Sequence, residues 1–339
     1  MSASREGSPP FSVIVPVKDG AEEIAACLEA LLHQTYPCEA YEIVVVDDGS
    51  CDRTPEIVGG FQERGVRLIR LPKTEGRIVA RAKGVLEARF PRVVLIDSRV
   101  IADSTLLLEF ARGGAAPIIG RIRHEDGPGW VGRFFYRLKR WYYHPYLDES
   151  FDPVRLSGPE ELGRRVPVGM GIFCCDREDY LSAIPEVHHR FVHDDTRMFE
   201  SLLARKPIWK LAGPAGTYRQ REDWGSVWRH LYDRGRRFSE YHIAKRFPVR
   251  LGWWLMLLIL SGWLRLALAL PGWALVALLG ASAVLVGAAA WKLGAVLRGL
   301  GEGIRFVGSG IVLSIPFLLG VIRDRPVEAL LVTLVPWLL

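Results

Sequence analysis

Between residues 11 and 97 the chain alternates, without a break, between short β-rich runs and segments of helical periodicity. The run Phe11-Ser-Val-Ile-Val-Pro-Val17 ends at Lys18-Asp19-Gly20. Residues 42–46, 66–71 and 93–96 repeat the pattern, the last ending at Asp97. Between them, Ile24, Leu28, Leu31 and Leu32 fall on one face of a helix that Tyr36-Pro37 stops, and residues 54–62 and 78–89 also read as helical. The run at 42–46 is almost wholly apolar, as a parallel strand covered on both faces must be. This alternation restricts the fold to an α/β class: a doubly wound, mostly parallel sheet with helices on both faces.

Such sheets bind ligands beyond the carboxyl ends of their strands. The acidic residues Asp19, Asp47, Asp48 and Asp97 all fall at those ends. In Asp47-Asp48-Gly49-Ser50, a carboxylate can accept hydrogen bonds from a ribose hydroxyl or a base N–H, and Gly49 permits a tight turn and close approach. Taken alone, the same four residues are an ordinary Asp-Gly turn.

The ordered series is more specific than its parts. Residues 11–19, then Ile43-Val-Val-Val-Asp-Asp-Gly-Ser50 with Asp52 and Thr54, then Gly76-Arg77-Ile-Val-Ala-Arg81-Ala-Lys-Gly84, resemble the opening of family 2 glycosyltransferases with the GT-A fold. The resemblance extends over about residues 11 to 220. It implies that Asp19 and Asp47 contact a nucleoside, that Asp48 supports the same loop, and that Arg81 lies near the nucleotide. Read from its helix alone, Arg81 has the alternative reading of a solvated helix residue.

The family carries an acidic triplet, Asp-any-Asp, whose second carboxylate helps a divalent cation grip the donor diphosphate. Here the triplet is Asp97-Ser98-Arg99. Two readings are open. Arg99 replaces the cation, gripping phosphate oxygens itself. Alternatively Asp97 holds Mg²⁺ or Mn²⁺ together with phosphate and water, as such ions often do with one or two carboxylates, while Arg99 points elsewhere. Val192-His193-Asp194-Asp195-Thr196-Arg197 resembles the acceptor-site acidic pair, which assigns Asp195 as the base for an acceptor hydroxyl and Asp194 as its companion. Either residue would also cap the helix that follows.

Other features carry weaker signals. His189 and His193 are four apart beside Asp194, but no partner motif completes a metal site. Gly169-Met170-Gly171 offers close backbone approach to a ligand, or is simply a loose strand end. Arg234-Gly-Arg-Arg237-Phe238 lacks the Gln and Trp of the processive polysaccharide synthase motif it faintly resembles, and a lipid-headgroup contact suits Arg236 and Arg237 better. The five cysteines, Cys27, Cys38, Cys51, Cys174 and Cys175, fit neither a zinc ribbon nor a disulfide framework, so reduced thiols are expected, with Cys174 and Cys175 a buried and unreactive pair.

Residues 251–291 contain one charged residue, Arg265, and residues 306–322 contain none. A membrane span takes roughly 17 to 25 apolar residues. A hairpin turning near Pro271-Gly272 and a third span over 306–322 are expected, with Arg265 facing the bundle interior or snorkelling. Of the net charge of +6, the densest part is residues 219–250, with nine Lys or Arg against four Asp or Glu. Its place before the apolar run fits the positive-inside rule and removes the need for nucleic acid. Residues Trp130 to His144, read as a helix, place Trp130, Phe134, Leu138, Trp141 and Tyr142 on one face, either interfacial or packed on their own domain.

The expected organisation is a disordered N-terminus (1–10), a GT-A domain (11–218), a basic juxtamembrane segment (219–250) and C-terminal membrane helices (251–339). The first ten residues are polar, so the N-terminal domain is expected to stay cytoplasmic, in an integral membrane protein. The resemblance implies an inverting glycosyltransferase, taking a nucleotide-diphosphate sugar and a membrane lipid or lipid-linked acceptor. The alternative is a non-catalytic relative serving as an assembly or binding partner.

Overall fold

A computed structural model describes residues 8–114, 117–124, 129–163, 166–186, 194–220 and 224–238. The elements, in chain order, are β1 (Phe11–Val17), α1 (Ile24–Leu32), β2 (Tyr41–Asp47), α2 (Thr54–Gly59), β3 (Val66–Arg70), α3 (Arg77–Leu86), β4 (Arg92–Ile96), β5 (Val100–Ala102) and α4 (Leu106–Arg112). There follow β6 (Ile118–His124), α5 (Trp130–Tyr143), β7 (Val154–Leu156), β8 (Ile172–Asp176), α6 (Arg177–Ser182), α7 (Asp194–Leu203), β9 (Ile208–Tyr218) and α8 (Trp224–Phe238). The helix expected over 54–62 ends at Gly59, and Gln62–Arg64 forms a 3-10 turn closed by Gly65 in the left-handed region.

The described strands form one sheet in the order β3-β2-β1-β4-β8-β6-β9-β5, with β7 beside β9. The first four are parallel. From β4 onward the sheet is mixed: β4–β8, β6–β8, β5–β9 and β7–β9 run antiparallel, and β6–β9 parallel. The expectation of a mostly parallel sheet is corrected here. It came from the strand–helix alternation of residues 11–97, and that alternation stops at β4. Beyond β4, long connections carry the strands back across the sheet, which no local periodicity encodes.

Helices cover both faces, and the pleat divides the core between them. On one side Val13, Val15, Val17, Ile43, Val45, Val94 and Ile96 pack with Ile24, Leu28 and Leu31 of α1, Val58 of α2, and Leu106, Leu107 and Phe110 of α4. On the other, Ile14, Val44, Val46, Val93 and Leu95 pack with Ala80 and Val85 of α3, Tyr180 of α6, and Met198, Phe199 and Leu202 of α7. Successive residues of β1, β2 and β4 therefore point to opposite cores, which is why these strands carry no polar alternation.

The chain divides into two compact units. One comprises residues 1–127, 135–190 and 194–220, and the other comprises 128–134, 191–193 and 221–339. In the second unit α8 is the main described element. The expected membrane segments at 251–339 lie outside the described residues. Among the described residues, no helix is long and apolar enough to cross a membrane.

Candidate active site

Three parallel neighbours, β2, β1 and β4, end side by side, so Asp19, Asp47, Asp48 and Asp97 share one edge of the sheet. The loops after β1 and β2 are sewn together. Backbone N–H groups of three successive residues donate to three side chains of the second loop: Asp19 N to Ser50 Oγ (2.9 Å), Gly20 N to Thr54 Oγ1 (2.9 Å) and Ala21 N to Asp52 Oδ2 (3.1 Å). This explains the spacing of Ser50, Asp52 and Thr54. In return, Cys51 N donates to Asp19 Oδ1 (2.8 Å), and Lys18 Nζ reaches Gly49 O (3.1 Å).

Asp47 and Asp48 face inward. Asp47 is fully buried, accepts from Ser50 N (3.0 Å), and pairs with Arg70 Nε (3.3 Å). Asp48 accepts from Glu75 N (2.7 Å) and Gly76 N (3.0 Å), which ties the start of α3 to the end of β2. Gly49, at φ +66, lies against Lys73, whose carbonyl carbon would be 2.7 Å from any Cβ there. Both carboxylates thus shape the loop. Of the residues assigned to the nucleoside, Asp19 is the one with an exposed side chain. It sits in the left-handed region at φ 48, a conformation Asp tolerates better than most residues.

The triplet follows β4. Asp97 Oδ1 accepts from Arg99 N (3.0 Å), and Asp97 N donates to Gly171 O (3.1 Å), just before β8. The second carboxylate oxygen of Asp97 has no hydrogen-bond partner among the described residues. Arg99 does not point toward it. Its guanidinium pairs with Glu23 beside α1, and its Nε donates to Arg219 O (3.0 Å). Glu23 had no motif to announce it. Its only sequence signal is its place four residues after the Asp19 turn.

Asp194 and Asp195 are the first two residues of α7, where the carboxylate of Asp195 complements the helix dipole. Asp195 Oδ1 accepts from Arg81 Nη1 at 2.7 Å, and its Oδ2 lies 3.4 Å from Met170 N. Arg81 is only 3 % exposed, so the reading of it as a solvated helix residue is overturned: its side chain turns into the second core and meets α7. Desolvation by the surrounding protein pushes the Asp195 carboxyl up. The charges of Arg81 and Arg77 and the bonds from Arg81 and Met170 N outweigh that, holding it well below the usual carboxylate range.

Gly169-Met170-Gly171 links the two halves of the site. Gly171 O receives Asp97 N, and Met170 N faces Asp195. At 171 an added Cβ would come within 2.7 Å of Ile122 Cδ1, the tip of a side chain that can turn aside. His189 and His193 lie outside the described residues, and among the described residues no cluster of His, Cys, Asp and Glu could hold a metal. Cys174 and Cys175 are buried. Desolvation raises the Cys174 thiol to about 12 and pushes Cys175 well up, so both are inert. A separate cavity of about 520 Å³, lined by Tyr146, Phe151, Asp152 and their neighbours, includes none of these site residues.

Residues 12–152 match the Glycosyl transferase family 2 model. Glycosyltransferase AglE of Haloferax volcanii is 37 % identical over 26 % of this chain and 30 % of its own length. Glycosyltransferase GlyG of Streptococcus pneumoniae is 32 % identical over 34 % of this chain and 40 % of its own. The chain thus spans about a third of the length of these curated relatives. Among solved structures, the mannosyltransferase PcManGT from Pyrobaculum calidifontis, in complex with GDP-Man and Mn²⁺, shares the fold at a TM-score of 0.56 and 20 % identity, covering 94 % of this chain and 88 % of that one.

Proposed function

We propose that the protein is an inverting glycosyltransferase that moves a sugar from a nucleoside-diphosphate sugar to an acceptor held at a membrane. The observation that carries this reading is the convergence of Asp19, Asp97 and Asp195 at one sheet edge, with the Gly169-Met170-Gly171 segment bonded to both Asp97 and Asp195. The donors named with relatives of this fold, such as GDP-Man, support a nucleotide sugar.

Asp19 contacts the nucleoside, while Asp47 and Asp48 hold the loop that receives it. Asp195 accepts the proton of an acceptor hydroxyl as that oxygen bonds to the anomeric carbon. The bond from that carbon to the diphosphate oxygen breaks on the opposite side, and the nucleoside diphosphate leaves. Attack opposite the leaving group inverts the configuration.

Asp97 fits a divalent cation such as Mg²⁺ or Mn²⁺, because one of its oxygens is unengaged among the described residues and phosphates complete the shell of such ions. A bound cation would offset the negative charge that develops on the leaving diphosphate.

The acceptor is assigned to the membrane on the strength of the apolar stretches 251–291 and 306–322 and the basic stretch before them. The same features make this an integral membrane protein with its catalytic domain in the cytoplasm. Residues 11–218 are the catalytic domain and 219–250 its juxtamembrane link.

The test is turnover of radiolabelled UDP- and GDP-sugars by membranes containing the full chain, read as labelled lipid and released nucleoside diphosphate. Absence of both binding and turnover for every donor refutes the reading. A second reading, a non-catalytic binding protein, is favoured by Arg99 in place of the triplet's second carboxylate. Donor binding without turnover supports it.

A further inference from the structure

The pairing of Arg81 with Asp195 joins residues 114 positions apart, one on α3 and one on α7. It sits awkwardly with a simple base. A carboxylate gripped by a buried guanidinium is always ionised, but it is a poor proton acceptor, because basicity falls with proton affinity. Two arginines act on it. Arg77 and Arg81 are four apart on α3, so they lie on one face of that helix. The helix begins where Asp48 holds Glu75 N and Gly76 N, so the arginines follow directly on the loop assigned to the donor. Arg81 Nη1 also lies 3.7 Å from Met170 Sδ, and a thioether side chain adjusts readily.

A diphosphate offers a guanidinium more negative charge and more acceptor oxygens than a single carboxylate does. We infer that Arg81 is shared: Asp195 and the diphosphate of the donor compete for its guanidinium. Donor binding then draws Arg81 away from Asp195 and leaves that carboxylate able to take the acceptor's proton. Arg81 acts as a positioning residue that makes acceptor activation follow donor binding. This rests on the transferase reading given above.

The test is equilibrium binding to the purified full chain, using UDP and GDP with Mn²⁺ and the corresponding nucleosides without phosphate. Asp195→Asn is expected to bind the diphosphate roughly five- to tenfold more tightly, with nucleoside affinity unchanged. Arg81→Gln is expected to weaken the diphosphate by a similar factor and to abolish the gain when combined with Asp195→Asn. A merely structural pair would not move in this way, since breaking it would lower both affinities or neither. Unchanged or weaker diphosphate binding by Asp195→Asn overturns the sharing of Arg81. If that variant loses nucleoside binding as well, Asp195→Ser, which removes the carboxylate with less bulk, decides by the same criterion. If wild type binds neither nucleotide, the transferase reading falls, and this inference with it.

Discussion

Arg99 and Glu23 form an ion pair between the loop after β4 and the residue preceding α1, with side chains only 15 % and 11 % exposed. Arg219 N donates to Arg99 O at 2.9 Å, and Arg99 Nε donates back to Arg219 O, so the end of β9 is tied into the same knot. A residue placed where the family has a metal-binding carboxylate is therefore a strut. Arg99→Ala strands the Glu23 carboxylate in a shielded site, and a loss of about 1–3 kcal/mol is expected. Urea unfolding of the variant measures it. A loss no greater than that of an exposed Arg→Ala change would show the pair to be idle.

Because Arg99 is held by Glu23, a cation at Asp97 would be what offsets charge on the leaving diphosphate in the proposed reaction. Transfer is expected to be stimulated by Mg²⁺ or Mn²⁺, lost in EDTA, and lost in Asp97→Asn. Full activity in EDTA together with an inactive Arg99→Ala would show the arginine to be the electrophile instead.

Asp195→Asn removes the proposed proton acceptor while keeping its shape. With a hydroxyl acceptor, turnover is expected to fall by a factor of about 10² or more. Steady-state kinetics on the full chain decide this. An acceptor that is already ionised, such as a phosphate, would feel the change much less, so comparing the two acceptor classes also reports on the nucleophile.

Lys210 of β9 is 2 % exposed, and its ammonium donates to Gly120 O at 2.5 Å. Desolvation, and then the nearby charge of Arg121, lower it from 10.5 to about 7. Its folded value is thus below its unfolded value, so between these two pH values the unfolded chain binds more protons and stability rises with pH. The penalty is largest below pH 7, on the order of 5 kcal/mol, and vanishes above pH 10.5. Denaturation at pH 7 and pH 9.5 should show wild type gaining stability at the higher pH, and Lys210→Met gaining much less. Equal pH responses would place the charge elsewhere.

Alkaline carbonate extraction of membranes should leave the full chain in the pellet, if residues 251–339 span the bilayer. Recovery in the supernatant would reduce the attachment to a surface contact.

The sequence by itself determined the first half of the domain. Each of β1, β2 and β4 is buried on both faces and reads as a short apolar run, and each helix between them buries one stripe at the 3.6-residue period, so both are written locally. It also determined which carboxylates reach the sheet edge, because a residue directly after a strand must lie there. What the tertiary structure decided depends on residues far apart in the chain. The antiparallel return of β8 brings Gly171 to Asp97. The packing of both α3 and α7 against α6 leaves Arg81 on Asp195, and the closing of β9 onto Arg99 turns a candidate phosphate ligand into a strut. Local patterns record which way a side chain faces relative to its own element. They do not record which charge it meets, because an ion pair between residues 81 and 195 leaves no periodicity in either segment.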